Sequence, residues 1–506
     1  MLRITKTENG TVRGMAAADA RITVFRGIPF AAPPVGNLRW RAPQPAANWK
    51  GTLDCLEFKN IAMQRVPGTN PGSGAFYGRE WHVDPDVPMG EDCLYLNVWT
   101  NAKTGKEKMP VMVWIYGGGL MEGYPWEMEF DGERIARRGV ILVSVNYRVN
   151  VFGFMTHPEI IKTSPDGFAA NWGYLDQKAG IDWVRRNIAN FGGDPDNITI
   201  FGQSAGGGSV MAHVNSPMAR GSFAKAIVQS GGGVRIKKPF RMMMTILTLP
   251  QLAAQGEEFF KFIGAKDLAA AKAVDAKTLM AKHLEFNKNW GSTVDGKYVV
   301  EDSSISVLNG HQAKIPMMIG TTTDEFLIEP PDIHIEAWAK ENVPGIEEEF
   351  CKLAREKAAD EKISLKKAAT VNGTELTASL FCETVAEQGG QTVFSYRFGP
   401  EIPGDTAGAF HSSDLWFEFE TLAKCWRPFV GKHYDLARQM CNYWTNFAKN
   451  GDPNGNDADG SPMPHWDPYT LKSPLLMEFK DKPAMEKKQT KMKKLLLDYN
   501  KKLVRQ

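Results

Sequence analysis

The chain has 506 residues, 43% of them hydrophobic, enough to bury a large core without a scaffold of disulfides. Sixty Lys and Arg against 58 Asp and Glu leave a formal charge of +2, which excludes the basic footprint of a nucleic-acid binder and any capture of substrate by bulk charge. Six cysteines (Cys55, Cys93, Cys351, Cys382, Cys425 and Cys441) are too sparse for a disulfide framework and read as free thiols of a reducing compartment.

The first ten residues alternate apolar and polar side chains like an opening hairpin, and they lack the apolar core of a signal peptide. A cytoplasmic location is therefore expected, or a secreted one if an export signal preceded this chain. No stretch approaches a membrane span. Short, continuously apolar runs then recur: Val111 to Ile115, Val140 to Val145, Ile198 to Phe201, Ala226 to Val228, Met317 to Ile319 and Val393 to Phe394. Runs without alternation are what strands covered on both faces look like. Helical patterns lie between them, such as Asp176 to Phe191, where Ile181, Val184 and Ile188 share one face. This alternation predicts an α/β fold with a mostly parallel sheet flanked by helices, its site beyond the carboxyl ends of the strands. Residues 235–290 and 330–390, rich in Glu, Lys, Ala and Leu, read as helical insertions, and no linker divides residues 1–506 into domains. Leu436 to Lys449 reads as a helix, Gly451 to Pro462 as an ordinary turn, and Lys487 to Gln506 as a C-terminal amphipathic helix with a solvated lysine face.

Four segments carry chemistry. Tyr116-Gly117-Gly118-Gly119 leaves the first strand with bare amides able to meet an oxyanion. A phosphate cradle is the rival reading, but no Gly-Lys-Ser/Thr follows and no dinucleotide-binding spacing of glycines is present. Gly202-Gln203-Ser204-Ala205-Gly206 follows the strand at Ile198. A sharp strand-to-helix turn there would present the Ser204 hydroxyl clear of the backbone, with glycines where a Cβ has no room. Serine needs a base, and among nine histidines His411 stands apart, entered through a flexible approach from Gly404 to Gly408. A carboxylate must orient that base, and Asp324-Glu325 leaves another strand end with two candidates. The order Ser, acid, His is that of α/β-hydrolases.

Taken with Phe25-Arg26-Gly27-Ile28-Pro29-Phe30-Ala31, Leu38-Arg39-Trp40, Glu91-Asp92-Cys93-Leu94-Tyr95-Leu96-Asn97-Val98-Trp99, Asn146-Tyr147-Arg148 and Asp176-Gln177, these segments make the chain resemble the type B carboxylesterases nearly end to end. That family of α/β-hydrolases includes bacterial p-nitrobenzyl esterases and animal cholinesterases. The resemblance implies Ser204 as nucleophile, Glu325 rather than Asp324 as the acid, His411 as base, and Gly118, Gly119 and Ala205 as oxyanion donors. It makes Ser230 a serine near the site, and Asp324, Arg39 with Glu91 and Arg148 with Asp176 structural polar groups. Gln203 stands where the family often has glutamate, which argues against cationic esters such as those of choline. The cysteine that many secreted relatives join to Cys93 has no counterpart near Ile61 to Gln64, so that disulfide is expected to be absent. Trp81 lies near the cholinesterases' aromatic platform for quaternary ammonium, but at a different spacing, and reads as packing.

The expected activity is hydrolysis of apolar or aromatic carboxylic esters through an acyl-enzyme, with no metal or organic cofactor. Leu120, Phe326, Trp416, Phe417, Phe419 and Met242-Met243-Met244 are candidate walls of an apolar gorge. A specialised feruloyl, acetyl or drug or toxin esterase, a peptidase and a non-catalytic binding protein remain the alternatives.

Overall fold

The computed structural model of the chain describes residues 1–69, 73–81, 83–236, 246–330 and 334–504. Its centre is an 11-stranded sheet: β1 (Met15–Ala16), β2 (Thr23–Pro29), β3 (Tyr95–Thr100), β4 (Met109–Ile115), β5 (Ile141–Val145), β6 (Gly193–Gln203), β7 (Lys225–Gln229), β8 (Met317–Thr322), β9 (Val393–Phe398), β10 (Met477–Phe479) and β11 (Pro483–Met485). The spatial order is β11-β10-β9-β8-β7-β6-β4-β5-β3-β2-β1. From β5 through β10 every neighbouring pair is parallel, and the strands outside that block pair antiparallel. Each apolar run foreseen in the sequence lies on a strand of the parallel block. All five residues of β5 and of β7 are buried, as a strand covered on both faces requires.

Register brings the motifs into one row. Ile115 of β4 lies opposite Gly202 of β6, Gln203 opposite Gln229 of β7, and Gln229 opposite Gly320 of β8. The peptides that follow these pairs carry the glycine run, Ser204, Ser230 and Glu325, so segments hundreds of residues apart share one rim.

Two helices run longer than their apolar faces alone suggest. The one foreseen from Asp176 starts earlier, as Trp172–Asn187, and ends in a 3-10 turn, Ile188–Phe191. Trp172 and Leu175 are buried too, which extends the packed face toward the N-terminus. Within residues 249–286 and 335–388 the chain is mostly helical, including Leu249–Phe262, Glu347–Glu361 and Gly373–Gln388. The tail is helical over Lys491–Val504, where Lys493 is nearly buried and reaches Glu375 at 2.8 Å, so one of its lysines serves packing and not solvation. Arg39 pairs with Glu91, and Arg148 with Asp176, both through two nitrogen–oxygen contacts of 2.6–2.7 Å in buried surroundings, as structural groups should. The six cysteines are unpaired. Among the described residues no helix is long and apolar enough to cross a membrane.

Candidate active site

Strand β6 ends at Gln203, and Ser204 turns the chain with φ 56° and ψ −124° into the helix Ala205–Asn215. Such a backbone costs about 1–3 kcal/mol, so its surroundings must impose it. They do so through the Ser204 amide, which donates to the Gln229 carbonyl at 2.8 Å, and its carbonyl, which accepts from the Gly208 amide at 2.9 Å. A Cβ on Gly206 would stand 2.1 Å from the Ile115 carbonyl oxygen, and one on Gly231 would stand 1.8 Å from that of Ser204. Gly231 was invisible as a site residue, because only β7 pressed against the elbow makes it one.

The glycine run after β4 brings Gly118 and Gly119 to the same rim. Among the described residues the amides of Gly118, Gly119 and Ala205 donate to no protein acceptor, which leaves three donors open to a ligand oxygen. Leu120 continues the loop at φ 62°, held by its carbonyl on the Asn150 amide at 2.7 Å.

His411 Nδ1 lies 2.9 Å from Glu325 Oε2, and Glu325 Oε1 accepts from the Thr322 amide at 3.0 Å. The Glu325 side chain is fully buried. A carboxylate only accepts, so the ring proton belongs on Nδ1 and Nε2 is left as a lone pair. That Nε2 is 3.3 Å from the side-chain nitrogen of Gln203, next in sequence to Ser204. Among the described residues no hydrogen bond joins the Ser204 hydroxyl to the ring. Asp324 faces elsewhere: its Oδ2 accepts from the Ala409 amide and the Thr323 hydroxyl, both at 2.9 Å, and pins the loop that carries His411.

The predicted walls divide. Phe326 is 51% exposed with its ring centroid 4.6 Å from that of His411, and Leu120, next in sequence to Gly119, is buried. Trp416, Phe417 and Phe419 are instead core residues and are corrected as walls: all three are buried, and Trp416 Nε1 donates to Glu80 at 3.1 Å. Glu80 also accepts from Trp426 and pairs with Arg427, both side chains of that pair being fully buried. Trp81 packs on Trp416 at 5.3 Å, so it too belongs to the interior. Met243 and its two methionine neighbours lie outside the described residues. Ser230, at φ 46°, sits at the rim after β7, and its hydroxyl is buried with no partner among the described residues.

Behind His411 lies a buried acid that no sequence motif marks, Asp414. Its Oδ2 accepts from the Tyr396 hydroxyl at 3.1 Å, and burial, aided by nearby Glu325, pushes its carboxyl up to about 6. A carboxyl raised in the folded state makes ionisation costly there, so Asp414 detracts from stability increasingly as pH rises from about 4 to 6, and fully above that. Asp414→Asn should therefore melt a few degrees above the parent near pH 8 and level with it below about pH 4. Thermal melts at the two pH values check the sign.

A serine on a strand-to-helix elbow, at the carboxyl rim of a largely parallel sheet, defines the α/β-hydrolase class. Within that class the chain belongs to the carboxylesterase family, whose profile matches residues 2–364 and 334–496, and it is a carboxylic ester hydrolase. It is 32% identical over 466 residues to the para-nitrobenzyl esterase of Bacillus subtilis, covering 89% of this chain and 90% of that protein. It is 30% identical over 514 residues to a fumonisin B1 esterase of Sphingopyxis macrogoltabida, covering 94% and 86%. A solved PNB esterase superposes with a TM-score of 0.78 at 28% identity, over 98% of this chain and 99% of that one.

Proposed function

We propose that Ser204 attacks the carbonyl carbon of an uncharged, apolar or aromatic carboxylic ester while His411 Nε2 takes the hydroxyl proton. Glu325 holds the ring by Nδ1 and supports its charge, and the amides of Gly118, Gly119 and Ala205 receive the oxyanion. His411 then gives the proton to the departing alcohol, and a water repeats the sequence on the acyl-enzyme. The observation that carries this reading is the buried Glu325–His411 contact of 2.9 Å, with the other ring nitrogen facing the residue next to Ser204.

Two features support a neutral substrate. Gln203 at the imidazole is uncharged, and the open surface beside His411 is the ring of Phe326. On p-nitrophenyl butyrate kcat/KM should exceed that on butyrylcholine by tenfold or more, roughly the penalty for seating a cation without a partner. Equal or better choline-ester hydrolysis would overturn the substrate class. The unpaired thiols support a cytoplasmic enzyme, and the near-zero charge supports a small-molecule substrate and no nucleic acid, with residues 1–506 acting as one catalytic domain.

A further inference from the structure

Gln203 is 2% exposed, and its backbone is fixed between pairing with Gln229 and the Ser204 elbow, so its side-chain torsions are its remaining freedom. Its carboxamide lies between two parts of the site. A Cβ on Gly117, at the root of the oxyanion loop, would be 3.3 Å from Oε1, and Nε2 is 3.3 Å from His411 Nε2. With Glu325 on Nδ1, the His411 Nε2 presents a lone pair, and the carboxamide N–H is the group that meets it. If His411 is the base, as proposed above, this is the same lone pair that must receive the Ser204 proton.

We propose that Gln203 is a positioning residue for His411: its carboxamide occupies the Nε2 lone pair in the resting enzyme, keeps the ring in its Nδ1–H tautomer aimed at the elbow, and yields that lone pair to the Ser204 hydroxyl when an ester enters.

The charged and titratable groups around the ring oppose it. Glu325 contacts Nδ1, Asp414 lies three residues along the same segment, and Tyr77 donates to the His411 carbonyl at 3.3 Å with Glu80 behind it. The carboxylates favour the imidazolium, whereas a donor on Nε2 favours the neutral ring that catalysis requires. Gln203 therefore extends activity toward acid.

The acid limb of kcat/KM reports the free enzyme, in which this contact exists. For p-nitrophenyl butyrate its midpoint should rise by about 0.3 pH units or more in Gln203→Met, which removes the donor, and by about 1 unit or more in Gln203→Glu, which adds a carboxylate. Gln203→Asn, one methylene short of the ring, should follow Gln203→Met and stands in for it if that variant fails to fold. A midpoint equal to or below the parent's in the donor-less variant overturns the role. His411→Ala separates the two readings. If it keeps parental activity the base assignment fails and Gln203 falls with it, and if it is inactive while the limb stays put, Gln203 alone fails.

Discussion

Ser204→Ala is expected to lower kcat on p-nitrophenyl esters on the order of a millionfold and to leave the fold intact. The loss is large because the oxygen deleted is the one proposed to bond to the acyl carbon, and neither neighbouring hydroxyl can replace it. Ser230 lies beyond β7 with its own strained backbone, and Ser209 is committed to the Ala205 carbonyl at 2.9 Å. The fold survives because the Ser204 side chain makes no hydrogen bond among the described residues. The elbow rests on backbone bonds to Gln229 and Gly208 that alanine keeps. Residual turnover of about a thousandfold over water would remain from the proposed oxyanion donors. Stopped p-nitrophenol release, with intact-mass detection of a phosphonate adduct on the parent and none on the variant, measures both halves. Adduct formation on the variant would move the nucleophile elsewhere.

Local patterns were legible and long-range ones were not. The elbow could be read because its parts are contiguous: an apolar run, Gly202, Ser204 and Gly206 encode strand, turn and close approach within a few residues. The glycine run Tyr116 to Gly119 at the end of a strand was legible for the same reason. The choice between Asp324 and Glu325 was not, since both follow the same strand and either has the needed chemistry. Only family resemblance favours Glu325; in the structure Asp324 meets the Ala409 amide and Glu325 meets His411. The aromatic run after His411 misled because hydrophobicity does not say whether a ring faces a cavity or a core. Trp416 turns inward onto Glu80, while Phe326, one residue past the acid, stays open. Glu80, Gly231 and Asp414 carry no motif at all, because each acquires its role from a segment distant in sequence.

Glu325→Gln should cost about ten-thousandfold in kcat, whereas Asp324→Asn should stay within about tenfold of the parent, although the two carboxylates are adjacent. The Glu325 carboxylate accepts from His411 Nδ1 and from the Thr322 amide. A carboxamide there can satisfy Thr322 with its oxygen and then turn its N–H toward Nδ1. That arrangement drives the ring proton to Nε2, which then has no lone pair to accept the Ser204 proton. In the proposed mechanism the imidazolium would also lose its counter-charge. Asp324 accepts from Ala409 and Thr323, contacts that hold the loop without touching the ring. An asparagine can still accept through its carbonyl, so the expected loss is stability of about 1–2 kcal/mol and not turnover. Parallel kcat measurements and urea unfolding separate the two effects, and the opposite pattern, a catalytic collapse in Asp324→Asn with Glu325→Gln near parental, would transfer the acid's role to Asp324.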